Sequence, residues 1–164
     1  MKKWGLSLFL VFLPAFPSQG SERVLDLGGG QVLKYEVLDP GSRGSAAETG
    51  REVLRLLADG EIVKAAQLSN APKRRLEVFR EYRARVGDEE FRRVFRDYLG
   101  PGNKLTAEVA LGRHRLLIWK LGDAADHLAG QYYVESDGRF LMDDMPSTER
   151  SNLRKILESY RTSK

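Results

Sequence analysis

A chain of 164 residues, 41% hydrophobic and 30% charged, has the size and composition of one globular domain. It has no cysteine, which excludes a disulfide framework, a cysteine-linked lipid anchor and a thiol nucleophile. Its 27 basic residues against 23 acidic ones give a net charge of +4, too small an excess to point to a nucleic-acid partner.

Lys2 and Lys3 precede an apolar run over residues 6–16, and Ser18-Gln19-Gly20 offers small residues to a peptidase. This is the pattern of a secretory signal peptide over residues 1–20, cut after Gly20, followed by one α+β domain over residues 21–164. The run falls short of the ~20 apolar residues that a spanning helix needs, and Pro14 and Pro17 break it. No stable membrane anchor is therefore expected, and the expected location is the periplasm or the exterior. Removing Lys2 and Lys3 leaves 25 basic residues against 23 acidic, a net charge of +2.

Residues 23–27 and 32–38 are short apolar segments around Gly28-Gly29-Gly30 and read as a hairpin. The glycine run lacks both the Lys-Ser/Thr pair of a phosphate loop and the spacing of a dinucleotide fingerprint, so it reads as a turn. After a Pro- and Gly-rich loop, Ser45 opens a helix, with Glu48 three residues later as in a capping box. Val53, Leu54, Leu56 and Leu57 form its buried stripe, and Gly60 closes it. A short second helix spans residues 61–68. Ser69 or Asn70 caps a third, with Pro72 in its first turn, and Gly87 stops it. Asp88 caps a fourth, where Phe91, Val94, Phe95, Tyr98 and Leu99 recur at amphipathic spacing.

Residues 105–142 then read as four strands. Residues 105–111 alternate as a strand that buries one face does. Residues 116–121, with Trp119 among them, are apolar on both faces, as in a central strand. A last helix begins near Ser147 and buries Leu153, Ile156, Leu157 and Tyr160. The expected architecture is α+β, with several helices packed on one face of a curved antiparallel sheet. Phe91 and Phe95 are expected to meet the strand that carries Ile118 and Trp119.

This order resembles the cystatin-like or nuclear-transport-factor-2-like cone fold: short helices, a glycine break at Leu57-Ala58-Asp59-Gly60-Glu61-Ile62, then long antiparallel strands ending in Asp143-Asp144. The resemblance covers residues 46–144. It implies a concave pocket, and its members include isomerases, dehydratases and non-catalytic binding and assembly modules. A strand pair before the first helix and a helix after the last strand depart from that pattern.

His114 and His127 each lie at the start of a strand, on opposite sides of the strand that carries Trp119, with Asp123 and Asp126 in the loop between them. A His-Asp pair can serve as a general base and its orienter, which makes His114, His127 and Asp126 the catalytic candidates. Solvated turn residues of these types are common, no zinc spacing is present, and neither metal nor cofactor is expected. Trp119, Tyr132 and Tyr133 are the candidates for lining a pocket, where a phenol can hydrogen-bond a ligand. Tyr132 and Tyr133 are adjacent in a strand and face opposite ways; the pattern leaves open which is inside.

Arg74, Arg75, Arg80, Arg83, Arg85, Arg92, Arg93 and Arg96 alternate with acids at helical spacing and read as a solvated face. Docking on an anionic partner is the lesser reading. Asp143-Asp144 reads as a turn leading into the last helix. No Ser-His-Asp order or HExxH motif is present. The expected function is that of an exported, non-enzymatic binding or interaction module for a small apolar ligand or a protein partner. The alternative is a cone-fold enzyme, isomerase- or dehydratase-like, that uses a His base on a small apolar substrate.

Overall fold

A computed structural model describes residues 20–42, 44–122 and 127–163. The proposed leader, apart from Gly20, lies outside the described residues, as do Asp123 and Asp126. Strands β1 (Gly20–Gly28) and β2 (Gln31–Leu38) form the first hairpin. Gly28, Gly29 and Gly30 all have positive φ, so the glycine run is there for backbone geometry. β2 joins β3 (Asn103–Leu111) only through Glu36–Leu38, and the rest of the ribbon extends past the sheet. β4 (His114–Leu121), β5 (Leu128–Ser136) and β6 (Arg139–Met142) continue an open six-stranded antiparallel meander in chain order.

Four helices separate β2 from β3: α1 (Ala47–Ala58), α2 (Ile62–Gln67), α3 (Pro72–Val86) and α4 (Asp88–Tyr98). α5 (Thr148–Thr162) follows β6. The fold is α+β with a curved antiparallel sheet, as the periodicity implies. The helices are not confined to one face, however. Leu117 and Trp119 of β4 point into the layer of α1–α4, whereas Leu116 and Ile118 point to α5. A central strand that is apolar on both sides needs cover on both sides, and α5 supplies the second. No helix among the described residues is long and apolar enough to cross a membrane.

Phe91 is fully buried and Phe95 partly so, in the same apolar cluster as Leu117 and Trp119 of β4. They pack on each other and on Tyr82, with centroids 4.9–6.3 Å apart. α4 also meets the sheet through Tyr98, whose ring stands 6.1 Å from that of Trp119.

The helix ends also differ from the local patterns. Ser147 does cap α5, accepting from the Arg150 amide at 3.0 Å. The Ser45–Glu48 capping box does not form. Ala46 is the N-cap of α1, and its amide donates 2.9 Å to Glu108, a fully buried carboxylate of β3 that Ser45 Oγ also reaches. A carboxylate from 62 residues away outcompetes the local one because it sits where the helix dipole favours an anion and no water reaches. Asp88 lies inside the first turn of α4, after Gly87, and pairs with Arg83 and Arg92.

Candidate functional site

β6 is only four residues long, and its pairing with β5 stops at Tyr133–Met142. One further bond, from the Asp143 amide to the Tyr132 carbonyl at 2.8 Å, carries the contact one residue on. Among the described residues, the rest of β5 toward Leu128 is paired with β4 alone and has no strand on its other edge. A cavity of about 500 Å³ opens at this place. Val53, Leu54 and Leu57 of α1, Phe79 and Tyr82 of α3, and Met142 give it apolar walls. Its polar groups come from Gln131 and Tyr133 on the sheet, Arg75 and Arg85 on α3, Asp143, and Arg150 on α5.

The Gln131 side chain is held from two sides. Its Oε1 accepts from Trp119 Nε1 at 3.1 Å and from the Tyr133 hydroxyl at 3.4 Å. Tyr133 is 1% exposed, and burial pushes its phenol well above the ordinary tyrosine range, so it stays a neutral donor. Gly50 of α1 allows this approach. A Cβ there would stand 2.6 Å from a Leu117 methyl and 3.4 Å from the Tyr133 hydroxyl. Tyr132 points the other way and is half-buried beside α5, with the Arg150 guanidinium 5.5 Å from its ring centroid. Burial raises its phenol as well. Trp119 is buried behind Gln131.

A buried polar clasp bounds the cavity on the β6 side. Asp143 and Asp144 lie in the stretch that leads from β6 to α5, and they are only 2% and 6% exposed. Asp144 accepts from Ser69 Oγ at 2.6 Å and from Arg75 Nε at 2.8 Å, with a second Arg75 contact. Its amide donates to Asn70 Oδ1 at 2.8 Å. Asp143 receives Asn70 Nδ2 at 3.0 Å, and its other oxygen lies 2.9 Å from His114 Nδ1. Buried carboxylates survive because each is hydrogen-bonded and Arg75 supplies the opposite charge.

The two histidines are not brought together. His114 opens β4, whereas His127 is exposed just before β5 and opposite Leu121, at the other end of β4, roughly 20 Å away at strand rise. Neither lines the cavity. The acid beside His114 is Asp143, and Asp126 lies outside the described residues. Among the described residues no group of three or more acids and histidines is arranged to hold a metal. A wider trough of about 1130 Å³ beside α1 is open to solvent, and Glu48, Glu52 and Arg55 on it form part of a charged surface.

The sequence does not place Arg85, Arg150, Gln131 or the Asp143–Asp144 clasp at a site: Arg85 reads as part of a solvated face and Asp143-Asp144 as a turn. Arg150 left a trace, since it lies three and seven residues before Leu153 and Leu157, on the stripe that faces the sheet. The other three show no local signal, because their partners are distant in sequence.

No family model, no curated protein and no solved structure matches the chain.

Proposed function

We propose that the chain is an exported, periplasmic binding module that holds a small apolar ligand, or an apolar group of a protein partner, in the cavity beside β5. The carrying observation is the cavity itself. Its volume of about 500 Å³ lies in the range of small-ligand sites, and its walls are apolar with a few oriented polar groups. The order of helices, then a curved antiparallel sheet with a covered concave face, supports kinship with the nuclear-transport-factor-2-like cone fold. Lys2, Lys3 and the apolar run after them support export. One observation favours the enzyme reading, the His114–Asp143 pair at 2.9 Å. It is the weaker reading, because the imidazole is off the cavity wall and both oxygens of Asp143 are already engaged.

One preparation tests the proposal. The full chain is expressed in a bacterium with two membranes, recovered from the periplasm, weighed by mass spectrometry and titrated with the neutral dye Nile red. Loss of residues 1–20 and binding of one dye per chain are expected. Val78→Trp, at an exposed position on the cavity wall, should abolish dye binding without unfolding the core. A retained Met1 would overturn export, and undiminished dye binding by the Val78 variant would overturn the cavity as the site.

A further inference from the structure

The charges around the cavity do not balance. Asp143 is engaged by Asn70 and His114, and Asp144, next to it, is taken up by Arg75 and Ser69. Two arginines remain on the wall, Arg85 and Arg150, and neither forms an ion pair among the described residues. Each is instead held over an aromatic ring, Arg85 at 5.4 Å from the Tyr82 centroid and Arg150 at 5.5 Å from that of Tyr132. Stacking of this kind orients a guanidinium and leaves its N–H edge free to meet a planar anion.

Arg150 carries the stronger evidence. Its Nε is buried and has no hydrogen-bond partner among the described residues. A buried donor without a partner is costly and calls for an explanation. Arg150 also lies in the first turn of α5, where the helix dipole disfavours a cation. An anion at that place would relieve both penalties. The Gln131 amide adds a neutral donor. Its oxygen is fixed by Trp119 and Tyr133, so its nitrogen is turned away from them and has no protein partner among the described residues.

Resting on the cavity reading above, we infer that the ligand is an amphipathic carboxylate. Its chain lies against Leu54, Leu57, Phe79 and Met142, and its head is received by Arg150, with Arg85 contributing from the more exposed side. The chemistry selects a hydrocarbon or aromatic acid over the neutral molecule of the same shape. A free acid and an acidic group on a larger lipid share this head and tail.

Calorimetric titration of the chain lacking residues 1–20 with decanoate and with decanol separates the possibilities. Decanoate is expected to bind about tenfold more tightly or better, the scale of one charge-assisted hydrogen bond. Arg150→Gln should remove most of that preference, Arg150→Lys should restore part of it, and Arg85→Gln should reduce it a few-fold. Equal affinity for the acid and the alcohol would overturn the carboxylate and leave the apolar cavity reading standing. Binding of neither would overturn both. If Arg150→Gln does not fold, the comparison of the two ligands on the unsubstituted chain still decides.

Discussion

The two faces of the sheet are covered in unequal ways. On one face a single helix lies directly on the strands: Leu153, Ile156 and Leu157 of α5 pack on Ala107, Val109, Leu116 and Ile118. Gly130 makes room for it, since a Cβ there would stand 2.6 Å from a Leu157 methyl and 2.9 Å from a Leu116 methyl. On the other face four helices must first satisfy one another. Their aromatic cluster of Tyr82, Phe91 and Phe95 joins α3 to α4, and α1 meets the sheet closely at Gly50. Layers that interlock among themselves cannot also fill every hollow of a twisted sheet. The one-helix face is thus solid beneath α5, and the cavity opens in the four-helix layer and reaches past the free edge of β5 to Arg150.

This contrast can be broken most directly at Phe91. Phe91→Ala should cost about 3–5 kcal/mol, through lost burial and the void left between the helices. Phe95→Ala should cost clearly less, because Phe95 is partly exposed and already borders the cavity. Urea denaturation followed by Trp119 fluorescence, in the chain lacking residues 1–20 and hence Trp4, reads both. Equal midpoints would mean that the aromatic cluster does not hold the four-helix layer.

The glycines sharpen the comparison. Gly130→Ala should cost about 1–3 kcal/mol, as overpacking does, because Leu116 and Leu157 are both buried and have nowhere to move. Gly50→Ala should cost less, since its Cβ crowds one methyl, of Leu117 at 2.6 Å, where that of Gly130 crowds two, and since Gly50 lies inside α1, where alanine is favoured over glycine. Thermal melts of the two variants in the reverse order would show that the four-helix face is the tighter one.

The smallest effect is confined to alkaline pH. Unfolded tyrosine titrates near 10, and burial holds Tyr133 above that. Below about pH 10 the phenol is neutral in both states and its contribution is fully present. Above that, the unfolded chain sheds a proton that the folded one keeps. Stability then falls by up to ~1.4 kcal/mol per pH unit until the folded phenol also ionises. Tyr133→Phe should flatten this alkaline limb more than Tyr132→Phe, whose ring is half-exposed beside α5. Indistinguishable limbs for the two variants would mean that water reaches the Tyr133 hydroxyl.

Periodicity and turn chemistry made the elements legible. The alternation in residues 105–111, the glycines at 28–30, 60 and 87, and Ser147 before α5 each act over a few residues, so their patterns survive in the linear chain. The second covered face was legible too, in the double-sided apolarity of residues 116–119, but only if read as a demand for two layers. What stayed hidden depends on partners far away in sequence. Glu108 looks like an ordinary polar residue of an alternating strand until Ala46 and Ser45 come to it. Asp143 and Asp144 look like turn residues until Asn70, Arg75 and His114 surround them. The arginines of α3 and α4 read alike, yet Arg93 is paired with Glu90 and Asp97 on the surface while Arg85 borders the cavity.

The clasp also sets an order of events in time. Ser69 and Asn70 meet Asp144 and Asp143 across separations of 75 and 73 residues. The hairpins of the meander and the helix pairs close over far shorter spans. Closing a long loop is entropically expensive until other contacts have drawn its ends together, and such contacts form slowly. The parallel bridge from Ser69 to Met142 belongs to the same closure. Arg75 on one wall of the cavity and Met142 on the other are therefore expected to be joined late, as are β2 and β3, where Glu36 pairs with Ala110 across a similar span. The helices and most of the sheet can be complete while the binding site does not yet exist.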